Sequence, residues 1–203
     1  MQPQPPPVVG TTRTGPLFLR QFVRSPRTVG AVMPSSASLA RAMLAPIDFV
    51  AARTIVEFGP GTGAFTGEIA KRLKPGCRYL GIELNPAFVR TLALAYPGLA
   101  FVHGSVADLA RILALQGIET IDAIVCGLPW ATLPVSLQER VFAAIDDVLV
   151  PGGVFVTFGY VQSLVLPGAQ ALRRRLRHGF AEVARSPVVW RNVPPAFAYI
   201  CRR

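Results

Sequence analysis

Residues 57–66 read EFGPGTGAFT. An apolar run, Arg53–Phe58, leads into this stretch and reads as a short strand. Helical spacing follows from Gly63 to Leu73. Strand, glycine turn and helix in that order open a βαβ unit. Glycine at 59, 61 and 63 is needed where a Cβ would block close approach of the backbone to a ligand. In open α/β sheets that place is the carboxyl end of a strand.

Outward from this turn the chain keeps alternating. RYLGIEL (78–84) is a second strand, and Pro86 opens a helix at a favoured position. LAFVH (99–103) is a third strand, with a helix from Val106 to Leu115. IDAIVCG (121–127) is a fourth, with a helix from Val135 to Leu149. Pro151-Gly152-Gly153 turns into GVFVTFGY (153–160), and a helix carrying Arg173, Arg174, Arg175 and Arg177 comes next. Strand-like runs at 180–190 and 196–202 flank RNVPP (191–195). Their link is too short for a parallel crossover, so they pair as an antiparallel hairpin. The expected fold is α/β: a mostly parallel seven-stranded sheet, a C-terminal antiparallel hairpin and helices on both faces. Upstream, Ser35 or Ser36 caps a helix with Leu39, Met43 and Leu44 on one face.

The 203 residues suffice for one domain, expected at 17–203, after a Pro- and Gln-rich segment, 1–16, expected to be disordered. No apolar run reaches the roughly 18–20 residues of a membrane span. MQPQPPPVVG lacks a signal-peptide pattern, so the expected location is cytoplasmic. Three widely spaced cysteines suggest neither a disulfide framework nor a metal site. The net charge of +10 points to an anionic partner, nucleic acid or membrane. From Gly168 onward eight arginines face a single acid, Glu182.

Two readings of the glycine turn compete. Gly59, Gly61 and Ala64 satisfy the dinucleotide pattern G-x-G-x-x-A. Glu57, Gly59, Gly61 and Gly63 also give E-x-G-x-G-x-G, which resembles the S-adenosylmethionine loop. A carboxylate suits that cofactor's ammonium group and sits poorly beside a pyrophosphate. Glu83, ending the second strand, can take ribose hydroxyls of either cofactor. The fourth strand favours the methyl donor. It runs into Gly127-Leu128-Pro129-Trp130, which resembles the Asn-Leu-Pro-Tyr signature of amine-directed methyltransferases. A proline-stiffened turn there aims the Gly127 carbonyl and the Trp130 ring at a nitrogen; the alternative is a plain turn with a packed tryptophan.

With FLRQFVRSPRTVGAVMPSS (18–36) and VVWRNVPPAFAY (188–199), these motifs resemble bacterial phospholipid N-methyltransferases over nearly the whole chain from Leu17. The resemblance implies a class I S-adenosylmethionine-dependent enzyme, with S-adenosylhomocysteine as product. It implies methylation of phosphatidylethanolamine towards phosphatidylcholine at the membrane surface. The expected cofactor contacts are Glu57, Gly59, Pro60, Gly61, Thr62, Gly63, Glu83, Leu84, Ser105, Val106, Ser35 and Ser36. Gly127, Leu128, Pro129 and Trp130 are expected to position the amine, with Tyr160 orienting it or relaying its proton. No side chain is clearly placed as a base, so proximity and desolvation carry the chemistry, and no metal is expected.

The segment LFLRQFVRSPR is expected to form an amphipathic helix in the lipid interface, with Phe18 and Phe22 on one face and Arg20, Arg24 and Arg27 on another. Packing of its apolar face on the domain is the alternative. Arg191 is a candidate for the lipid phosphate. A second acceptor class, rRNA adenine, also suits the charge. That family begins its fourth-strand motif with Asn where this chain has Gly127, and it adds a helical domain, whereas this chain ends just after the last strand. A non-catalytic membrane- or RNA-binding module fits poorly with an intact glycine loop and Glu83.

Overall fold

A computed structural model describes residues 35–130 and 133–203. Phe18, Arg20, Phe22, Arg24 and Arg27, and the segment 1–16, lie outside the described residues.

Seven strands form one sheet in the order β3-β2-β1-β4-β5-β7-β6. They are β1 (Thr54–Phe58), β2 (Arg78–Glu83), β3 (Ala100–His103), β4 (Ile121–Cys126), β5 (Leu149–Tyr160), β6 (Glu182–Arg185) and β7 (Ala196–Arg202). Strands β1 to β5 pair in parallel, and β7 runs antiparallel to both β5 and β6. The chain reverses strand order at β1 and β4, which creates the crevice where such sheets take ligands. The hairpin is as expected, with its second strand inserted beside β5 and its first on the edge.

The helices are α1 (Ala37–Leu44), α2 (Thr66–Ala70), α3 (Pro86–Ala95), α4 (Leu109–Leu115), α5 (Val135–Val148) and α6 (Pro167–Gly179). Leu39 and Met43 of α1 and Ile69 of α2 share a buried cluster with Ile55, Val125 and Val156 of the sheet. Residues of α4, α5 and α6 share another with Phe58, Ile124 and Phe155 on the opposite face. The alternation of side chains along each strand supplies both clusters, so central strands must be apolar on both sides.

Several boundaries differ from the sequence-based expectation for physical reasons. Helix α2 begins only at Thr66, because Gly61 and Gly63 hold positive φ of 57° and 85°. Strand β5 begins at Leu149 and not after the Pro151-Gly152 turn. Leu149 already pairs with Ile121, and the turn bulges out before pairing resumes at Ala123 and Val154. Strand β6 covers only 182–185 of the expected 180–190. Pro187 has no N–H for a ladder, and the Ser186 hydroxyl accepts from Ala198 N in place of a backbone partner. Pairing touches down once more, where Val189 meets Ala196.

Candidate active site

Glu57 is the last residue but one of β1 and is fully buried. Its Oε2 accepts hydrogen bonds from the Thr66 hydroxyl at 2.8 Å and the Tyr79 hydroxyl at 2.5 Å. Its Oε1 is buried with no hydrogen-bond partner among the described residues. Burial pushes the Glu57 carboxyl up to about 7, against the pull of those two donors. Burial also holds the Tyr79 hydroxyl well above its ordinary range, so Tyr79 stays a donor.

The glycine turn lies directly above. The Gly61 N–H donates to Glu83 Oε2 at 2.9 Å, and the Asn85 N–H donates to Oε1 of the same carboxylate at 2.8 Å. One bond on each oxygen leaves lone pairs for two further donors. A Cβ on Gly61 would meet nothing nearer than Gly59 O at 3.9 Å, so the space over that glycine is open. The Gly127 N–H donates to Phe58 O at 2.8 Å and thereby joins the end of β4 to the turn. A Cβ on Gly127 would lie 2.9 Å from Gly59 O, so an asparagine cannot stand there without moving backbone. The Leu128 side chain sits over Gly59, 2.9 Å from where a Cβ would be. Gly59, Gly61, Glu83, Gly127 and Leu128 thus lie together around the turn.

The remaining candidates separate into those beside this cluster and those turned away from it. Ser35 shares with Thr62, Gly63 and Ala64 a crevice of about 440 Å³ on the flank of the turn; Glu83, Gly127 and Tyr160 do not line it. The Ser36 hydroxyl caps α1 by accepting from Leu39 N at 3.2 Å, which is a structural task. Ser105 caps the 3-10 turn 106–108 by accepting from Ala107 N at 3.2 Å, and Val106 is buried beneath it. His103 Nε2 donates to Leu84 O at 3.0 Å, bracing the β2 end. Arg191 is exposed in the β6–β7 loop.

Trp130 corrects an expectation. It is 2% exposed, its ring stacks on Phe142 at 4.7 Å, and its indole N–H donates to Thr157 Oγ1 at 3.0 Å. The indole is a core group, not a ring offered to an amine; what it fixes is the backbone of the 127–130 turn. Tyr160 ends β5 with its hydroxyl buried and unpartnered among the described residues, and burial pushes it up to about 12. It is therefore a neutral donor near pH 7 and no proton relay by ionisation.

Four residues escaped the sequence reading. Thr66 and Tyr79 hold Glu57. Gln138 donates to the carbonyls of Trp130 and Leu133, at 3.0 and 2.9 Å, and braces the chain beyond the turn. A glutamine among Leu137, Val141 and Phe142 on the buried side of α5 was its only signal. Asn192, 3% exposed, accepts from the Ser36 N–H at 2.9 Å and donates to Pro194 O at 2.7 Å.

Comparisons with known proteins agree with this geometry. A family profile described as "Methyltransferase domain" matches residues 55–153. An ornithine lipid N-methyltransferase of Singulisphaera acidiphila is 37% identical over 92% of this chain and 94% of its own length. A ribosomal RNA small subunit methyltransferase H of Methylobacterium nodulans is 32% identical, but over 43% of this chain and 26% of its own. Among solved structures, the 1,6-didemethyltoxoflavin-N1-methyltransferase of Burkholderia thailandensis, holding S-adenosylhomocysteine, superposes with a TM-score of 0.67. It is 17% identical and covers 99% of this chain and 93% of that one. The chain is a class I S-adenosylmethionine-dependent methyltransferase. Within that class it belongs to the lipid N-methyltransferase family, on the strength of the end-to-end relative.

The residues present fit the methyl donor. The orphaned Glu57 Oε1, the open cradle over Gly61 and the spare lone pairs of Glu83 are what a cationic nucleoside with two ribose hydroxyls needs.

Proposed function

We propose that the acceptor is the primary amine of a membrane-lipid headgroup, bound over the 127–130 turn. The full-length relative carries this reading, and it favours an ornithine lipid. Phosphatidylethanolamine, the acceptor that the sequence motifs imply, is the second reading. Both present an amine on a lipid at a bilayer surface. The match to the ribosomal RNA enzyme spans less than half of the chain and supports only the shared methyltransferase core.

The bound donor supplies an activated methyl group on a sulfonium, which passes to nitrogen as the carbon–sulfur bond breaks. Gly59, Pro60, Gly61, Thr62 and Gly63 give the backbone cradle for it, and Glu83 with the neighbouring Leu84 the ribose side. Ser105, Val106 and Ser35 complete the surround, and Ser36 supports it by holding the start of α1. The Gly127 carbonyl accepts from the incoming amine and, with Leu128 and Pro129, sets its line of approach. The Tyr160 hydroxyl orients the same nitrogen. The ammonium must lose a proton before it attacks, and an apolar, water-poor site favours the neutral amine. Alignment alone supplies several kcal/mol, up to about 7–11 in ideal cases. Arg191 offers a charge to the anionic part of the headgroup. On this reading the enzyme works at the cytoplasmic face of the membrane; among the described residues no helix is long and apolar enough to span one.

Radiolabelled methyl donor offered in parallel to vesicles with ornithine lipid, vesicles with phosphatidylethanolamine, and rRNA tests the reading. Label in ornithine lipid supports the first acceptor, and label in phosphatidylethanolamine alone replaces it with the second. Label in rRNA alone overturns the lipid reading.

A further inference from the structure

Four large apolar side chains stand in water on the rim around the carboxyl ends of the parallel strands. In the β6–β7 loop Trp190 is 72% and Val193 65% exposed; between β5 and α6 Val165 is 78% and Leu166 49% exposed. The two loops leave the same edge of the sheet. Tyr160, the last residue of β5, pairs with Ala196, the first of β7, and the Val161 N–H donates to Pro195 O at 3.0 Å. That is the edge on which the glycine turn and Gly127 lie, since β1, β4 and β5 run in parallel. The surroundings are cationic. Arg191 follows Trp190 directly, and exposed Arg185 ends β6 on the same edge; Arg173, Arg174 and Arg177 carry the positive charge on along α6, away from it. Glu182 is the only acid from Gly168 onward.

We propose that the β6–β7 loop around Trp190 and Val193, with Val165 and Leu166, inserts into the headgroup region of an anionic bilayer and sets the active-site edge against it. This rests on the lipid-acceptor reading and adds where the bilayer is met. An apolar wedge flanked by arginines suits a surface with an apolar interior and a negative face. Tryptophan is the side chain best matched to that depth, with an apolar body and one polar N–H. A second copy of this chain docked through the same edge would set Arg185 and Arg191 against their like, which disfavours it.

The loop also has a route to the cofactor side. Asn192 lies between Trp190 and Val193, and its side chain holds the Ser36 N–H, one residue from Ser35 on the crevice at Gly63.

Intrinsic fluorescence tests the proposal, because the chain has two tryptophans and the other, Trp130, is buried. Vesicles of brominated phosphatidylcholine with phosphatidylglycerol should shift the emission to the blue and quench it, and Trp190→Phe should abolish both effects. The double substitution Trp190→Ser with Val193→Ser should lower vesicle partitioning by at least about tenfold. Turnover of a short-chain amine lipid in detergent should be unchanged in that variant. Vesicle binding with no tryptophan response, or equal partitioning of the double variant, would overturn the docking edge. So would a concentration-dependent dimer that the double variant loses, since the loop would then seat a second copy. The two readings fail separately. Lipid methylated in detergent without loop insertion retains the acceptor and removes the edge; insertion without any lipid methylation retains the edge and removes the acceptor.

Discussion

The Asn192 side-chain oxygen accepts the Ser36 N–H at 2.9 Å, joining residues 156 positions apart. Its amide nitrogen at the same time donates to Pro194 O at 2.7 Å. One buried side chain therefore ties the start of α1 to the β6–β7 loop. Asn192→Ala should cost about 1–3 kcal/mol, the usual penalty for stranding buried polar partners. Because Ser35 lines the crevice at Gly63, affinity for S-adenosylhomocysteine should fall as well. Thermal melts and titration calorimetry read the two effects. Loss of stability with unchanged affinity would confine the clamp to a structural role.

Gly61 and Gly127 should respond differently to the same added methyl group. At Gly61 the added Cβ meets open space, and the cost is that of a positive φ of 57°, about 1–2 kcal/mol. Gly61→Ala should therefore fold and yet lose at least about tenfold in affinity for the methyl donor, because the methyl fills the cradle. At Gly127 the Cβ meets Gly59 O at 2.9 Å, and Gly127→Ala should destabilise by about 1–3 kcal/mol as the β1–β4 contact is forced apart. Circular dichroism melts with donor titrations separate the two. Tight donor binding by Gly61→Ala would remove the cradle from the site.

What could be read beforehand was what depends on local backbone chemistry. The glycines of the turn, Pro86 at the start of its helix, and the short link that forces a hairpin all declare themselves within a few residues. Glu57, Glu83 and Gly127 could be placed because a strand end fixes where they sit. Contacts between distant segments could not. Nothing near Trp130 says that Phe142 and Thr157 will enclose it. Nothing near Asn192 points to Ser36. The extent of β6 was misjudged because the apolar pattern continues through Pro187, while the hydrogen bonds that define a strand do not.

Trp130 is a packing residue, and its variants should show it. Trp130→Phe keeps a ring on Phe142 and removes only the hydrogen bond to Thr157, at a cost of about 1 kcal/mol. Its turnover should stay within a few-fold of the parent. Trp130→Ala opens a cavity among Phe142 and Phe155 and should cost about 3–5 kcal/mol. A Phe variant that is stable but inactive would return the indole to the amine site.

Glu57 makes stability depend on pH. Its carboxyl titrates near its ordinary value of 4.5 in the unfolded chain and at about 7 when folded. The folded state therefore binds the extra proton between those values. This contribution is fully present below about 4.5 and is lost as pH rises through 7, by an amount on the order of 3 kcal/mol. Glu57→Gln keeps a neutral group at the position and should flatten this slope. Denaturant melts at pH 5 to 8 provide the comparison, and identical slopes for both proteins would refute the assignment.

Tyr160 offers a separation of stability from chemistry. Its hydroxyl is buried without a partner among the described residues, so Tyr160→Phe removes an unmet polar group. The variant should be as stable as the parent, or more stable by about 1 kcal/mol. If the hydroxyl orients the lipid amine, turnover should fall about tenfold, the worth of one hydrogen bond made to the reacting nitrogen. Donor affinity should not change if Tyr160 meets the acceptor, as proposed. Steady-state rates on amine-lipid vesicles with a parallel donor titration decide the matter. Full activity in the Phe variant would leave the Gly127 carbonyl as the remaining orienting group.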